Sequence, residues 1–100
     1  MLNITKNNTG NNALTVGLEG RLDTNTAPRL EEVLKDSIEG IVSLTLDLEK
    51  LEYISSAGLR VLLSTQKTMS KQGDMKIAHA GGAIQEVFEV TGFSDILVVE

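Results

Sequence analysis

Alternating hydrophobic and polar positions predict β-strands in the first half of the chain. Residues 2–6 alternate weakly, as on an edge strand, and residues 14–18 alternate clearly, as in a strand with one buried face. The turn-forming residues 7–12 between them predict a hairpin with a longish polar loop. Residues 41–48 are apolar enough for a strand inside a sheet, and we expect residues 51–54 to be a connecting segment.

Apolar residues at intervals of three and four predict three helices, over residues 27–39, from 55 or 56 to about 73, and over 84–91. Short strands are expected at residues 75–78 and 96–99. Because strands alternate with helices, the pattern predicts an α/β fold: a mixed sheet with helices packed on it. The length fits one domain spanning residues 1–100.

Composition and charge exclude several classes of function. The 9 basic and 14 acidic residues give a net charge of −5, and only 3% of residues are aromatic, which argues against nucleic-acid binding. Without cysteine there is no disulfide, thiolate chemistry or cysteine-based metal site. No apolar run approaches membrane-spanning length, so we expect a soluble, cytoplasmic protein without membrane attachment.

Two adjacent serines, Ser55 and Ser56, stand where the second helix begins. A serine at a helix start is ordinarily a cap, which contributes about 1 kcal/mol. Ala57 and Gly58 follow, and such small residues would leave the helix end open to a partner. A phosphate here would carry roughly −1.5 to −2 charges at the positive end of the helix dipole, so the pair is also a candidate switch.

The second helix has a basic face that supports this interpretation. Arg60, Lys67 and Lys71 are spaced by seven and four residues, and no acidic residue occurs between Glu52 and Asp74. Arg60 lies one turn beyond Ser56 and is a candidate phosphate partner. The same cations could equally form a solvated stripe that complements the carboxyl end of the helix.

Two further residue types suggest chemistry more weakly. Asp23 precedes the first helix and is either a turn or capping carboxylate, or part of the same surface as Ser56. His79 is the only histidine, so a Ser56–His79–aspartate hydrolase is conceivable, but the serines are not in a G-x-S-x-G turn. A metal site is equally poorly supported, because no second histidine exists.

The chain resembles a STAS domain of the bacterial anti-sigma factor antagonist type over nearly its whole length. Residues 20–27, GRLDTNTA, resemble the entry to the first helix of that family. Residues 46–48, LDL, and 51–59, LEYISSAGL, resemble its strand, loop and serine-bearing turn. The family fold implied is a mixed sheet of four or five strands with about three helices on one face.

The resemblance implies regulation rather than catalysis, and no cofactor. The unmodified antagonist binds an anti-sigma factor that is also a GHKL-type serine kinase, and the sigma factor is released. Phosphorylation at the start of the second helix breaks the complex, and a metal-dependent serine phosphatase reverses it. The phosphoacceptor stands two residues before the motif glycine, which makes it Ser56 here. The implied partner-binding residues are Asp23, Thr24, Ser55, Ser56, Ala57, Gly58 and Arg60.

The sequence departs from the family pattern beside the phosphoacceptor. Many members that switch have aspartate just before it and serine or threonine just after, where this chain has Ser55 and Ala57. Ser55 therefore remains an alternative phosphoacceptor. Three functions remain open: a phosphorylatable antagonist, a STAS adaptor that binds without being phosphorylated, and a small serine hydrolase.

Overall fold

The computed structural model describes residues 1–99, which form five strands, three α-helices and one short 3-10 turn. In chain order they are β1 (Leu2–Gly10), β2 (Ala13–Leu22), α1 (Ala27–Ser37), β3 (Ser43–Ile54), α2 (Ser56–Met69), β4 (Asp74–Ala78), α3 (Gly82–Thr91), the turn Phe93–Asp95 and β5 (Val98–Val99). The first helix ends two residues earlier than predicted and the second about four. Within the described residues the last strand is Val98–Val99, two residues later than predicted, because residues 96–97 form a turn after the 3-10 segment.

The five strands lie in one sheet in sequence order, β1-β2-β3-β4-β5. β1 and β2 are antiparallel, and every later pair is parallel with one helix in each crossover. The prediction of a longish loop over residues 7–12 is wrong: β1 pairs with β2 as far as Gly10, and the turn between the strands consists of Asn11 and Asn12. Both asparagines have positive φ, +53° and +60°, which two-residue hairpin turns require.

β3 is longer than predicted and reaches the start of α2. Residues 51–54, expected to be a connection, continue the strand and pair with the end of β2 as far as Leu22 and Ile54. Two register shifts along this pairing mark bulges, which interrupt the simple alternation of buried and exposed residues. The irregular pattern explains why the sequence suggested a loop.

One face of the sheet is buried under the helices and the other is open. Alternate strand residues on the covered face form the core with the apolar stripes of the helices; the strand contribution includes Leu14, Val16, Leu18, Leu44, Leu46, Leu48, Met75 and Ile77. The residues between them, among them Thr15, Thr45 and Asp47, are only partly buried. The prediction of a mixed sheet with helices on one face is confirmed. The carboxyl ends of β2 and β3 therefore meet at one rim, where α1 and α2 begin.

Candidate functional site

The loops after β2 and β3 are joined directly at this rim. The backbone N–H of Ser55 donates to the carbonyl oxygen of Leu22 at 2.8 Å, which extends the pairing of the two strands into the loops. Asp23 follows Leu22, and Ser56 follows Ser55. The structure therefore brings Asp23 and the serine pair, about thirty residues apart in sequence, onto neighbouring loops.

The two serines have different environments. Ser55 is the N-cap of α2, with an extended backbone, and its Oγ accepts the backbone N–H of Gly58 at 3.3 Å. Ser56 is the first helical residue and is exposed. Within residues 1–99 its hydroxyl takes part in no hydrogen bond. The cap that the sequence predicted is thus Ser55, and the Ser56 hydroxyl is free to react.

Gly58 lies below the surface, where it lets α2 approach the sheet closely. A Cβ added to it would lie 2.7 Å from Leu22 Cγ, 2.9 Å from Leu22 Cδ2 and 3.0 Å from Ile54 Cγ1. Gly58 is buried, and its place among the partner-binding residues stays a prediction. Its contribution is to set the height of the helix end, on which Ala57 remains partly exposed.

Asp23 organises the turn before α1. Its Oδ1 accepts the backbone N–H groups of Asn25 at 3.0 Å and Thr26 at 3.1 Å, and also the Thr26 hydroxyl at 3.2 Å. The hydrogen bond from the Thr26 backbone is the main cause that lowers the pKa of Asp23. The side chain is therefore ionised at neutral pH. Of the two roles considered from the sequence, the turn carboxylate is the one observed, since α1 begins after Thr26 without a side-chain cap. The turn holds a partly exposed negative charge on the rim.

The remaining predicted site residues are exposed beside these groups. Thr24 lies at the tip of the Asp23 turn, and Arg60 lies one helical turn along α2 from Ser56. Lys67 is also exposed, so the basic stripe faces solvent. The rim thus combines an exposed hydroxyl, a fixed carboxylate and a nearby cation.

Arg21 and Tyr53 form an exposed pair that sequence reasoning missed. They are neighbours across β2 and β3, and the Arg21 guanidinium carbon lies 4.3 Å from the centroid of the Tyr53 ring. Arg21 Nε is 4.0 Å from Asp23 Oδ2. The two side chains are 32 residues apart, and only the bulged register places them opposite each other. The one feature of the sequence that could have indicated the pair is that Arg21 and Tyr53 each lie two residues before a predicted site residue.

His79 lies away from the serines, which excludes the hydrolase. Its Nδ1 is 3.2 Å from Asp47 Oδ1, and β4 pairs with β3 only as far as Asp47 and Ala78. Seven further β3 residues follow Asp47 to the end of the strand at Ile54, about 23 Å at roughly 3.3 Å per residue. Ser56 and His79 are therefore far outside hydrogen-bond reach.

The same region contains a group of potential metal ligands that the sequence did not suggest. One ligand atom each from Asp47, Glu49 and His79 lies within 4.8 Å of the other two. Both acids stand on β3, two residues apart. Carboxylate oxygens and an imidazole nitrogen could together hold a divalent ion. This group lies at a distance from the serine rim.

No helix within residues 1–99 is both long and apolar enough to cross a membrane.

The chain is similar to known proteins over most of its length. Residues 3–100 match the family model of the STAS domain. The candidate anti-sigma factor antagonist BtrV of Bordetella bronchiseptica is 38% identical over 84 residues, which cover 82% of this chain and 72% of BtrV. The anti-sigma-B factor antagonist of Bacillus subtilis is 32% identical over 87 residues, 86% of this chain and 80% of that protein.

Solved structures show the same fold. The crystal structure of an anti-sigma factor antagonist from Mycobacterium paratuberculosis superimposes with a TM-score of 0.89. The match covers 99% of this chain and 85% of that one at 22% sequence identity. At this level of identity, the likeness shows a shared fold.

Proposed function

This chain belongs to the STAS domain family, and on that premise we propose that it is an anti-sigma factor antagonist switched off by phosphorylation of Ser56. In this proposal the unmodified protein binds an anti-sigma factor that is also a GHKL-type serine kinase, and the sigma factor is released. The kinase phosphorylates Ser56, the complex dissociates, and a metal-dependent serine phosphatase restores the antagonist. Because sigma factors act where transcription occurs, the proposal places the protein in the cytoplasm.

The observation that carries the proposal is the division of roles between the two serines. Ser55 Oγ is held in the helix cap, whereas the Ser56 hydroxyl is exposed and forms no hydrogen bond within residues 1–99. In the transfer step, Ser56 Oγ bonds to the γ-phosphorus of ATP, the bond from that phosphorus to the β,γ-bridging oxygen breaks, and ADP leaves. The hydroxyl proton is released.

Electrostatics explain how a phosphate would end binding. Unmodified Ser56 is neutral and is followed by the small Ala57, so a partner can pack closely against the helix end. A phosphate adds roughly −1.5 to −2 charges at the centre of this contact. An unpaired charge in an interface costs several kcal/mol, and each 1.4 kcal/mol is about a tenfold loss of affinity.

Within the free protein, the same phosphate has favourable surroundings. It would lie at the amino end of α2, where the helix dipole is positive, and one turn from Arg60. The modified protein can therefore accumulate while it is unable to bind.

The test uses a purified GHKL-type anti-sigma factor kinase from the same organism, with ATP, and mass spectrometry to locate the phosphate. We expect one phosphate on Ser56 in the wild type and in Ser55→Ala, and none on that helix end in Ser56→Ala. We also expect Ser56→Asp to bind the kinase at least about tenfold more weakly than Ser56→Ala. Phosphate on Ser55, or equal binding by Ser56→Asp and Ser56→Ala, would contradict the proposal.

Ser55 is also the residue that favours the second candidate, an adaptor that is not phosphorylated. It stands where many switching relatives have an aspartate, so the acidic neighbour of the acceptor is absent. An adaptor would bind its partner with the same rim and remain unmodified in the kinase assay. Binding without modification would therefore select the adaptor over the switch.

A further inference from the structure

We propose that Arg21 and Tyr53 form a second contact with the anti-sigma factor, in which the Arg21 guanidinium binds an aspartate or glutamate of that partner. This inference rests on the proposed function and adds to it the residues that choose among partners. It extends the binding surface from Ser56 around the strand ends to the open face of the sheet.

The Tyr53 ring holds the Arg21 guanidinium in place, but the N–H groups of the guanidinium remain available to a partner. The Tyr53 ring covers one face of the guanidinium, at 4.3 Å from its central carbon, and both side chains are exposed, 41% for Tyr53 and 53% for Arg21. The separation of 4.0 Å between Arg21 Nε and Asp23 Oδ2 is too long for a hydrogen bond. Within residues 1–99 the N–H groups of this guanidinium have no acceptor.

A stacked arginine of this kind suits a carboxylate. Stacking fixes the plane of the guanidinium, so less side-chain entropy is lost when its edge forms two parallel hydrogen bonds. Arginine and tyrosine are also the residue types most enriched among the dominant contacts of protein interfaces. The chain has a net charge of −5, but Arg21 is an exposed cation near Ser56. The group of the partner that complements it is therefore an acidic side chain.

The position of the pair ties it to the switch. Tyr53 lies two residues before Ser55 on β3, and Arg21 lies two residues before Asp23 on β2. A partner that covers Ser56 and the Asp23 turn therefore meets the pair at the adjoining edge of the same rim. An uncharged or basic residue at the facing position of another anti-sigma factor would leave Arg21 unpaired, which gives discrimination between partners.

The first test measures the affinity of Arg21→Glu, Arg21→Ala and Tyr53→Ala for the same purified GHKL-type kinase. Lys6→Glu is the matched control: it changes the net charge equally at an exposed residue of β1, which pairs with Val16 about 20 Å from the carboxyl end of β2. We expect Arg21→Glu to weaken binding by about 30-fold or more, and Lys6→Glu by less than about threefold.

Thermal unfolding of the same variants separates binding from folding. If the pair serves only stability, Arg21→Glu and Tyr53→Ala will lower the unfolding temperature and leave affinity unchanged, which overturns the inference. We expect the reverse: a change of a few degrees at most, with the loss in affinity. Tyr53→Phe keeps the ring and should bind like the wild type.

The second test identifies the facing group. In Arg21→Lys, a carbodiimide should join the new amine to a carboxylate of the bound kinase, and mass spectrometry should locate the linkage on an aspartate or glutamate. A bound kinase that yields no linkage to position 21 contradicts the inference. If Ser56→Asp abolishes binding but Arg21→Glu does not weaken it, the proposed function stands and this inference falls. If the wild type binds no kinase, both fall.

Discussion

Replacing Gly58 with alanine should destabilise the protein by crowding the junction between α2 and the sheet. The added methyl group would meet Leu22 at 2.7 and 2.9 Å and Ile54 at 3.0 Å, closer than real Cβ atoms tolerate without movement. Leu22 is fully buried and Ile54 is 5% exposed, so neither has free space to move into. Either the helix end must rise or these side chains must leave their preferred rotamers.

Two opposing effects set the magnitude. Overpacking of this kind costs about 1–3 kcal/mol. Alanine is a better helix former than glycine by up to about 1 kcal/mol, and the gain is smaller in the first turn. The net loss should therefore be about 1–2 kcal/mol. For a domain of this size, that lowers the unfolding temperature by roughly 5–10 °C.

The assay compares Gly58→Ala with Gly82→Ala by thermal and urea unfolding. Gly82 begins α3, and a Cβ added there meets nothing within 4 Å, so the same substitution should leave stability unchanged or slightly higher. Equal stability of the two variants would refute the packing argument and mean that Leu22 and Ile54 relax freely. Because the junction sets the height of Ser56, Gly58→Ala should also slow its phosphorylation.

Four other substitutions test the local structure. Ser55→Ala should lower the free energy of unfolding by about 1 kcal/mol through loss of the cap, whereas Ser56→Ala should change it by less than about 0.5 kcal/mol, as urea unfolding will show. The pKa of Asp23 is lowered in the folded state, so the stability that its carboxylate provides is present above about pH 4, the value in the unfolded chain, and is lost as the pH falls below it. The stability difference between wild type and Asp23→Asn should therefore be larger at pH 7 than at pH 3, and a constant difference would contradict this. A Cβ on Gly73 would overlap the backbone carbonyl oxygen of Val42, so Gly73→Ala should cost about 2 kcal/mol or more in the same assay.

The fold was predictable where local pattern and tertiary environment agree. Residues 14–18 alternate because one face of β2 is buried, and residues 43–48 do so in β3, which begins two residues later than predicted. The pattern failed at residues 7–12 and 51–54, for different reasons. At residues 7–12, β1 is an exposed edge strand, so turn-forming residues are tolerated while its backbone pairs with β2. At residues 51–54, bulges shift the register and break the alternation.

The sequence was enough to predict most residues of the candidate site, but not how their side chains are arranged. The position of the serine pair at a helix start follows from the sequence, and the family resemblance singles out Ser56. Which hydroxyl closes the cap depends on the backbone angles at Ser55, which no spacing rule supplies. The Arg21–Tyr53 pair depends on strand register, and pairings between residues so far apart in sequence leave no local pattern.

Phosphorylation could end binding in two ways, and the position of Ser56 favours one of them. A phosphate that broke the first turn of α2 would act through local unfolding. Here, however, Ser56 is the first helical residue, and the cap is formed by the preceding Ser55, which the phosphate does not replace. The added charge lies at the positive end of the helix dipole.

The phosphorylated domain should therefore be slightly more stable than the unmodified one. Negative charge at a helix amino end contributes about 0.3–1 kcal/mol, and an ion pair with Arg60 one turn along adds about 0.3–0.5 kcal/mol. The unfolding temperature should rise by a few degrees at low salt, measured by calorimetry of the purified phosphoprotein, and by less at high salt. A fall in that temperature would show instead that the phosphate acts by melting the start of α2. If the unfolding temperature rises and binding is lost, the phosphate acts at the interface with the partner, because the fold that presents Ser56 is then intact.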